Sequence, residues 1–101
     1  MFDSILVANR GEIALRIMRT AQAMGIQTIA IYVEADKDAP HVRFADKAVL
    51  LPDGGYLDID AVLDAAQKSN AGAIHPGYGF LSENSEFAKR VIKKKIVWVG
   101  P

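Results

Sequence analysis

The 101-residue sequence has no cysteine, no long apolar run and no excess of charge of either sign. The lack of cysteine excludes disulfides, thiolate metal sites and cysteine nucleophiles. Basic and acidic residues number 12 each, which argues against a nucleic-acid or membrane module that binds through bulk charge. No apolar stretch approaches the roughly 18 residues of a transmembrane helix, and the first residues do not resemble a signal peptide. We therefore expect a protein of the cytoplasm or, in a eukaryote, of the mitochondrial matrix.

The composition is that of one globular domain, which we place at residues 1–101. Half of the residues are apolar and 24% are charged, so disorder is not expected. A chain of this length lies at the lower end of the usual domain size of about 100–200 residues. It can bury one core without disulfides or metals.

Short apolar runs recur along the chain and none alternates with polar residues, which favours strands buried on both faces of a parallel sheet. They are residues 5–8, 28–33, 48–51, 72–74 and 96–99.

Helical patterns separate these runs. The residues Ile13, Ile17, Ala21 and Met24 predict one buried stripe on a helix over 11–24. Further helices are predicted around residues 59–66, capped by Asp58 or Asp60, and around residues 87–92, capped by Ser82. The proline at position 40 permits only a short turn over 42–45.

Strands that alternate with helices predict an α/β fold: an open, mainly parallel five-stranded sheet with flanking helices. No helix follows the fifth run, so we expect a domain that belongs to a longer protein or works with another chain.

Two loops follow predicted strands at their carboxyl ends, where open α/β sheets bind ligands. The first contains Asn9, Arg10, Gly11 and Glu12, in which arginine can clamp an anion and glycine allows close backbone approach. A tight turn without a ligand explains the same residues equally well. Neither the dinucleotide fingerprint nor the phosphate-loop motif is present in the sequence.

The second loop, HPGYGFLSEN at residues 75–84, has two glycines on either side of Tyr78. Such a loop can expose backbone N–H groups to an anion and an aromatic ring to a flat ligand, although glycine loops also cap helices without any ligand. His75 lies in it without a second histidine at metal-ligand spacing. On the first helix, Arg16 and Arg19 are predicted to lie opposite the stripe of Ile13 and Ile17, where they are either solvated or part of a subunit contact.

The ordered strings ILVANRGEIA (5–14), ADKAV (45–49), HPGYGFLSEN (75–84) and VWVGP (97–101) resemble the N-terminal domain of biotin carboxylases over essentially the whole chain. The resemblance implies a Rossmann-like domain that precedes an ATP-grasp domain. It also implies an enzyme that uses ATP with Mg²⁺ to activate bicarbonate as carboxyphosphate and then carboxylates biotin on a biotin carboxyl carrier protein. A carboxyltransferase then uses the carboxybiotin. Most ATP, magnesium and bicarbonate contacts, and the catalytic base, are implied to lie outside these residues.

By matching positions, the resemblance implies that Tyr78 and Gly79, with His75 and Gly77 beside them, form one wall of the biotin pocket. The loop over 9–12 is implied to brace the cleft between domains, and Arg16 and Arg19 to lie at a homodimer interface. The sequence departs from the family in a shorter connection over 51–56, which a surface loop tolerates. A second departure, Ala23 where some relatives carry an acid, weakens the dimer prediction.

Three hypotheses follow. The first is the N-terminal domain of a biotin carboxylase, inactive by itself because its site is shared between domains. The second is the corresponding domain of another ATP-grasp enzyme, such as one that forms carbamoyl phosphate. The third is a non-catalytic interaction module that docks through Arg16 and Arg19.

Overall fold

The computed structural model describes residues 2–100. Within them the chain forms an α/β fold in which strands and helices alternate. The strands are β1 (Ser4–Val7), β2 (Gln27–Tyr32), β3 (Lys47–Leu50), β4 (Ala73–His75) and β5 (Val97–Trp98). The helices are α1 (Gly11–Ala23), α2 (Pro40–Phe44), α3 (Ile59–Lys68) and α4 (Ser85–Lys93). Single 3-10 turns lie at Glu34–Asp36 and Gly55–Leu57.

All strand pairs in the described residues are parallel, and the order across the sheet is β3-β2-β1-β4-β5. This confirms the predicted open five-stranded sheet. Along β1, side chains alternate between the two faces. Leu6 packs in the core cluster that contains residues of α3 and α4. Ile5 and Val7 pack with residues of α1 on the other face.

The predicted burial of every strand on both faces is correct in the middle of the sheet and wrong at its edge. β1 is buried throughout, whereas Lys47, Ala48 and Leu50 of β3 are exposed. Among residues 2–100, β3 pairs with β2 alone, and its position at the edge leaves these side chains in solvent.

The buried stripe of α1 also differs from the prediction. Its buried side chains are Ala14, Leu15, Met18 and Ala21, whereas Ile13 and Met24 are exposed. Small alanines allow the helix to pack closely on β1 and β2, and the isoleucine side of the helix borders an open cleft.

Helix starts follow local capping chemistry. The Asp58 carboxylate accepts a hydrogen bond from the Ala61 N–H at 3.1 Å and caps α3, as predicted. The predicted cap of α4 by Ser82 is wrong, because the Asn84 side chain accepts from the Phe87 N–H at 2.9 Å. The short turn predicted near residue 42 is the helix α2, which starts at Pro40. Among residues 2–100, no helix combines the length and apolar character needed to cross a membrane.

Candidate functional site

The order of the strands places the two predicted loops side by side. From β1 the chain builds β2 and β3 to one side, then returns to place β4 on the other side of β1. At such a switch point the connections leave the sheet in opposite directions and open a crevice at the carboxyl ends of the strands. The loop after β1 and the loop after β4 meet at this crevice.

Asn9 joins these two loops. Its side chain is buried, with 1% of the residue exposed. The amide nitrogen Nδ2 donates to the carbonyl oxygens of Pro76 at 2.8 Å and Tyr78 at 2.6 Å. Its oxygen Oδ1 accepts the backbone N–H of Arg10 at 2.8 Å. One amide therefore uses both donors and its acceptor to fix the backbone of both loops.

The glycines on either side of Tyr78 have different structural roles. Gly77 has φ +66°, and a Cβ there would lie 2.7 Å from Asn9 Nδ2 and 3.0 Å from Ile13 Cγ2. Gly79 has φ +67°, but a Cβ there would have no heavy atom within 4 Å. Gly77 is therefore required by a close approach as well as by its backbone angle, and Gly79 by its backbone angle alone.

Tyr78 projects from the glycine loop with 78% of the residue exposed. It borders a cleft of about 480 Å³, within the range of small-molecule sites. The predicted residues Glu12, Arg16, His75 and Gly77 line the same cleft, together with Ile13 and Ile17. The structure thus brings five predicted site residues around one cavity, which we call the Tyr78 cleft.

His75 is half-buried at the end of β4. Its Nδ1 accepts the backbone N–H of Gly77 at 3.1 Å, which leaves the imidazole proton on Nε2. Burial lowers the pKa of His75 below its usual value. Both observations indicate that the His75 imidazole is neutral and that it helps to shape the glycine loop.

Arg10 does not point freely into solvent. Its Nε and Nη2 donate to Oδ2 and Oδ1 of Asp36 at 2.7 and 2.8 Å, a two-point pair between arginine and carboxylate. The Tyr56 hydroxyl donates to Asp36 Oδ2 at 2.7 Å. The hydrogen bonds from Arg10 lower the pKa of Asp36 to about 2, and burial with the bond to Asp36 raises that of Tyr56 to about 12. The Arg10 guanidinium is therefore already paired with the Asp36 carboxylate of the same domain.

Asp36 and Tyr56 were not singled out in the sequence. They lie in segments that follow β2 and β3, so the carboxyl-end rule applied to every strand would have found them. The Tyr56 ring contacts that of Phe80, with centroids 5.4 Å apart and planes at 59°. Phe80 has φ +47°, which is uncommon for a residue with a side chain.

Arg16 is not on the side opposite Ile17, contrary to prediction. Arg16 and Ile17 line the Tyr78 cleft together, and both also line a neighbouring apolar cavity of about 370 Å³. Arg19 is exposed and lies 3.6 Å from Glu12 Oε1. Successive residues of a helix are about 100° apart, so Arg16 lies nearer to Ile17 around the axis than Arg19, which is about 200° away.

Within residues 2–100, no three His, Asp or Glu side chains come together as metal ligands. The Tyr78 cleft combines the side chains of Ile13 and Ile17 and the tyrosine ring with the charged side chains of Glu12 and Arg16.

Comparison with known proteins identifies the family. Residues 1–101 match the family described as biotin carboxylase, N-terminal domain. The chain belongs to this family. The match confirms the resemblance and favours the biotin carboxylase hypothesis over an enzyme that forms carbamoyl phosphate.

Curated relatives of this biotin carboxylase domain share about half of its residues. Biotin carboxylase 2 of Bacillus subtilis is 52% identical over 105 residues, which cover 100% of the chain and 24% of the relative. The human mitochondrial propionyl-CoA carboxylase alpha chain is 50% identical over 104 residues, which cover 99% of the chain and 14% of the relative. The chain therefore spans about a quarter or less of the length of these relatives.

Solved structures show the same domain fold. The Campylobacter jejuni biotin carboxylase, described with β,γ-ATP, has a TM-score of 0.95 and 47% identity, covering 100% of this chain and 24% of that one. The biotin carboxylase domain of the Hydrogenobacter thermophilus 2-oxoglutarate carboxylase gives the same TM-score and identity, covering 100% and 23%. That structure is a dimer in complex with MgADP, ADP and bicarbonate.

Proposed function

We propose that this chain is the N-terminal part of an ATP-dependent biotin carboxylase and supplies one wall of its biotin pocket. The full enzyme would convert bicarbonate, ATP and the biotin on a carrier protein into carboxybiotin, ADP and phosphate. Family membership supports this reaction class. The observation that carries the pocket role is the exposed Tyr78 ring at the mouth of a 480 Å³ cleft, on a loop clamped by Asn9.

The chemistry of the cleft is consistent with a biotin ring system. Aromatic and aliphatic side chains of the cleft can cover its apolar rings, and Gly79, next to Tyr78, is exposed with no heavy atom within 4 Å of the place a Cβ would take. Within the loop, the Gly77 N–H donates a hydrogen bond to His75 Nδ1 and helps to fix the backbone before Tyr78. Asn9 holds the loop through its hydrogen bond to the Pro76 carbonyl, and the neighbouring Arg10 is fixed by Asp36. Gly11 begins α1, and Glu12 lines the cleft.

We propose that the phosphate and metal chemistry lies in other parts of the enzyme. Among residues 2–100 no three His, Asp or Glu side chains come together as metal ligands, and Arg10 is paired with Asp36. The 101 residues alone should therefore show no bicarbonate-dependent release of ADP from Mg-ATP in the presence of free biotin. Turnover above background would contradict this assignment and would place ATP binding on this sheet.

The pocket role is tested by Tyr78→Ala in the carboxylase that contains this chain. Loss of the ring should raise the KM for free biotin about tenfold, which corresponds to about 1.4 kcal/mol of binding energy. Tyr78→Phe is the matched control, because it keeps the ring and should stay near wild type. Unchanged biotin KM and kcat in Tyr78→Ala would refute the role.

A subunit contact through α1 is a second part of the proposal. Ile13 on this helix and Met24 at its C-terminal end are exposed large apolar side chains, and Arg16 and Arg19 are exposed on the same helix. In the assembled enzyme we expect a homodimer that uses this helix, with carrier protein and carboxyltransferase as further partners. Charge reversal at both arginines should halve the mass seen in sedimentation, and an unchanged mass would contradict the contact. The compartment follows the source: cytoplasm in a bacterium, mitochondrial matrix in a eukaryote.

A further inference from the structure

The carboxylate of Asp36 connects two loops that are distant in sequence. It receives two hydrogen bonds from Arg10, in the loop after β1, and one from Tyr56, in the segment after β3. The Asp36 side chain is 11% exposed, whereas that of Arg10 is 49% exposed. The acceptor is therefore the more enclosed member of the cluster, and its charge is neutralised by one arginine.

Both residues that donate hydrogen bonds to Asp36 are also connected to the glycine loop. Next to Arg10, the Asn9 amide holds the carbonyl of Tyr78. On the other side, the Tyr56 ring packs against Phe80. Two series of contacts thus connect Asp36 with the glycine loop. One passes through the loop after β1 to Tyr78 and the other through Tyr56 to Phe80, so they reach the residues on either side of Gly79.

The glycine loop needs such support. Phe80 has φ +47° and follows Gly79 in a turn that the Ser82 N–H closes on the Gly79 carbonyl at 2.9 Å. A phenylalanine holds this backbone angle only where its surroundings stabilise it. The Tyr78 ring is itself largely exposed, so its position depends on the backbone that carries it.

We propose that Asp36 is a positioning residue that fixes the shape of residues 76–80 through Arg10 and through the contact between Tyr56 and Phe80. It does not touch the cleft, and nothing in the family match assigns it a role. The consequence for biotin rests on the pocket role proposed above, whereas the effect on loop shape does not.

The test compares Asp36→Asn with Asp60→Asn in the full carboxylase that contains this chain. Both variants remove a carboxylate paired with an arginine, since Asp60 Oδ1 lies 2.6 Å from Arg90 Nη2. Hydrogen exchange is followed in a peptide over 76–84, where the Ser82 amide reports on the turn. Asp36→Asn should speed this exchange about tenfold, the effect of losing one charge-assisted hydrogen bond, and Asp60→Asn should not.

Kinetics provide the second measurement. In Asp36→Asn the KM for free biotin should rise about tenfold while the KM for ATP stays within about twofold. Tyr56→Phe keeps the ring on Phe80 and removes only the hydroxyl, which bonds to Asp36 and to the Val33 backbone, so it should fold and show a smaller change of the same kind. This variant keeps the proposal testable if Asp36→Asn does not fold.

The outcomes separate the two proposals. Unchanged exchange over 76–84, or the same change in Asp60→Asn, would overturn the role of Asp36. Faster exchange throughout the protein with equal losses for both substrates would show a general structural role and would also overturn it. Faster local exchange with an unchanged biotin KM would support the positioning role and overturn the pocket role of Tyr78.

Discussion

Asn9 Nδ2 donates to the carbonyl oxygen of Tyr78 at 2.6 Å, across 69 positions of sequence. The bond connects the ends of the two neighbouring strands β1 and β4. Because the donor is buried, it has no solvent to replace a lost partner. The shape of the candidate site therefore depends on a side chain that is almost completely buried.

Replacing this amide by a carboxylate tests the dependence directly. Asn9→Asp keeps the size of the side chain but turns two donors into acceptors that face the Pro76 and Tyr78 carbonyls. We expect the free energy of unfolding to fall by about 3 kcal/mol. Gln67→Glu makes the same chemical change on the exposed surface of α3 and should cost less than about 1 kcal/mol. Urea denaturation measures both, and equal losses would contradict the role of Asn9.

The two glycines of the loop form a matched pair for a second prediction. Alanine is strained at either position because φ is positive, but only at position 77 does the new Cβ contact the Asn9 amide. Gly77→Ala should lower the free energy of unfolding by about 2–4 kcal/mol and Gly79→Ala by about 1 kcal/mol. Denaturation midpoints at constant m-value give the comparison. A Gly79→Ala loss as large as that of Gly77→Ala would show that backbone strain alone decides.

The elements of the sheet could be predicted from sequence because each strand and helix has its own local signal. The run at 28–33 is apolar, and β2 occupies Gln27–Tyr32. Helix α1 has apolar residues over a wide arc, so its periodicity indicates a helix without deciding which side is buried. The choice of Ala14 and Met18 over Ile13 depends on how closely the helix approaches β1, which is a tertiary contact.

The candidate site could be predicted only in part for the same reason. The strand-end rule and the glycine pattern indicated Asn9, Arg10 and Tyr78, and the structure places them around one crevice. The pairing of Arg10 with Asp36 spans 26 positions, and no local pattern encodes it. Phe80 was visible as part of the glycine loop, but its contact with Tyr56 depends on how the segment after β3 folds back.

The start of α4 gives a third prediction, in which the corrected cap can be compared with the expected one. Asn84→Ala removes the acceptor of the Phe87 N–H and should lower the free energy of unfolding by about 1 kcal/mol. Asn84→Asp keeps an acceptor at the helix N-terminus and should be nearly neutral. Ser82→Ala should cost less than Asn84→Ala in the same thermal or urea measurement. The reverse order would restore Ser82 as the cap.

The buried His41 predicts how stability depends on pH. It is fully buried and its Nε2 lies 3.2 Å from the Ile31 carbonyl oxygen. Its Nδ1 has no hydrogen-bond partner among the described residues. Burial lowers the pKa of His41 below 6.5, although the Ile31 carbonyl and the Asp36 charge oppose the shift. A proton on Nδ1 would place a charge in the core without an acceptor.

The sign of the effect follows from proton uptake. Below pH 6.5 the unfolded chain binds a proton at this position and the folded chain does not, so stability is lost as the pH falls. The contribution is complete above pH 6.5 and declines by up to about 1.4 kcal/mol per pH unit below it, until the folded histidine also titrates. His75, whose pKa burial also lowers, adds a decline of the same sign. The Asp36 carboxylate changes the pH dependence of stability only below about pH 4, where the unfolded chain begins to bind a proton at this position.

Urea unfolding between pH 7.5 and 5 measures the slope. The wild-type free energy of unfolding should fall across this range, and His41→Gln should fall less steeply because it has one titrating histidine fewer, even if its stability at pH 7.5 is lower. The matched variant Asp60→Asn, at an exposed carboxylate, should keep the wild-type slope. A flat wild-type profile, or equal slopes in His41→Gln and wild type, would show that a proton enters the core at His41 as readily as it binds in the unfolded chain.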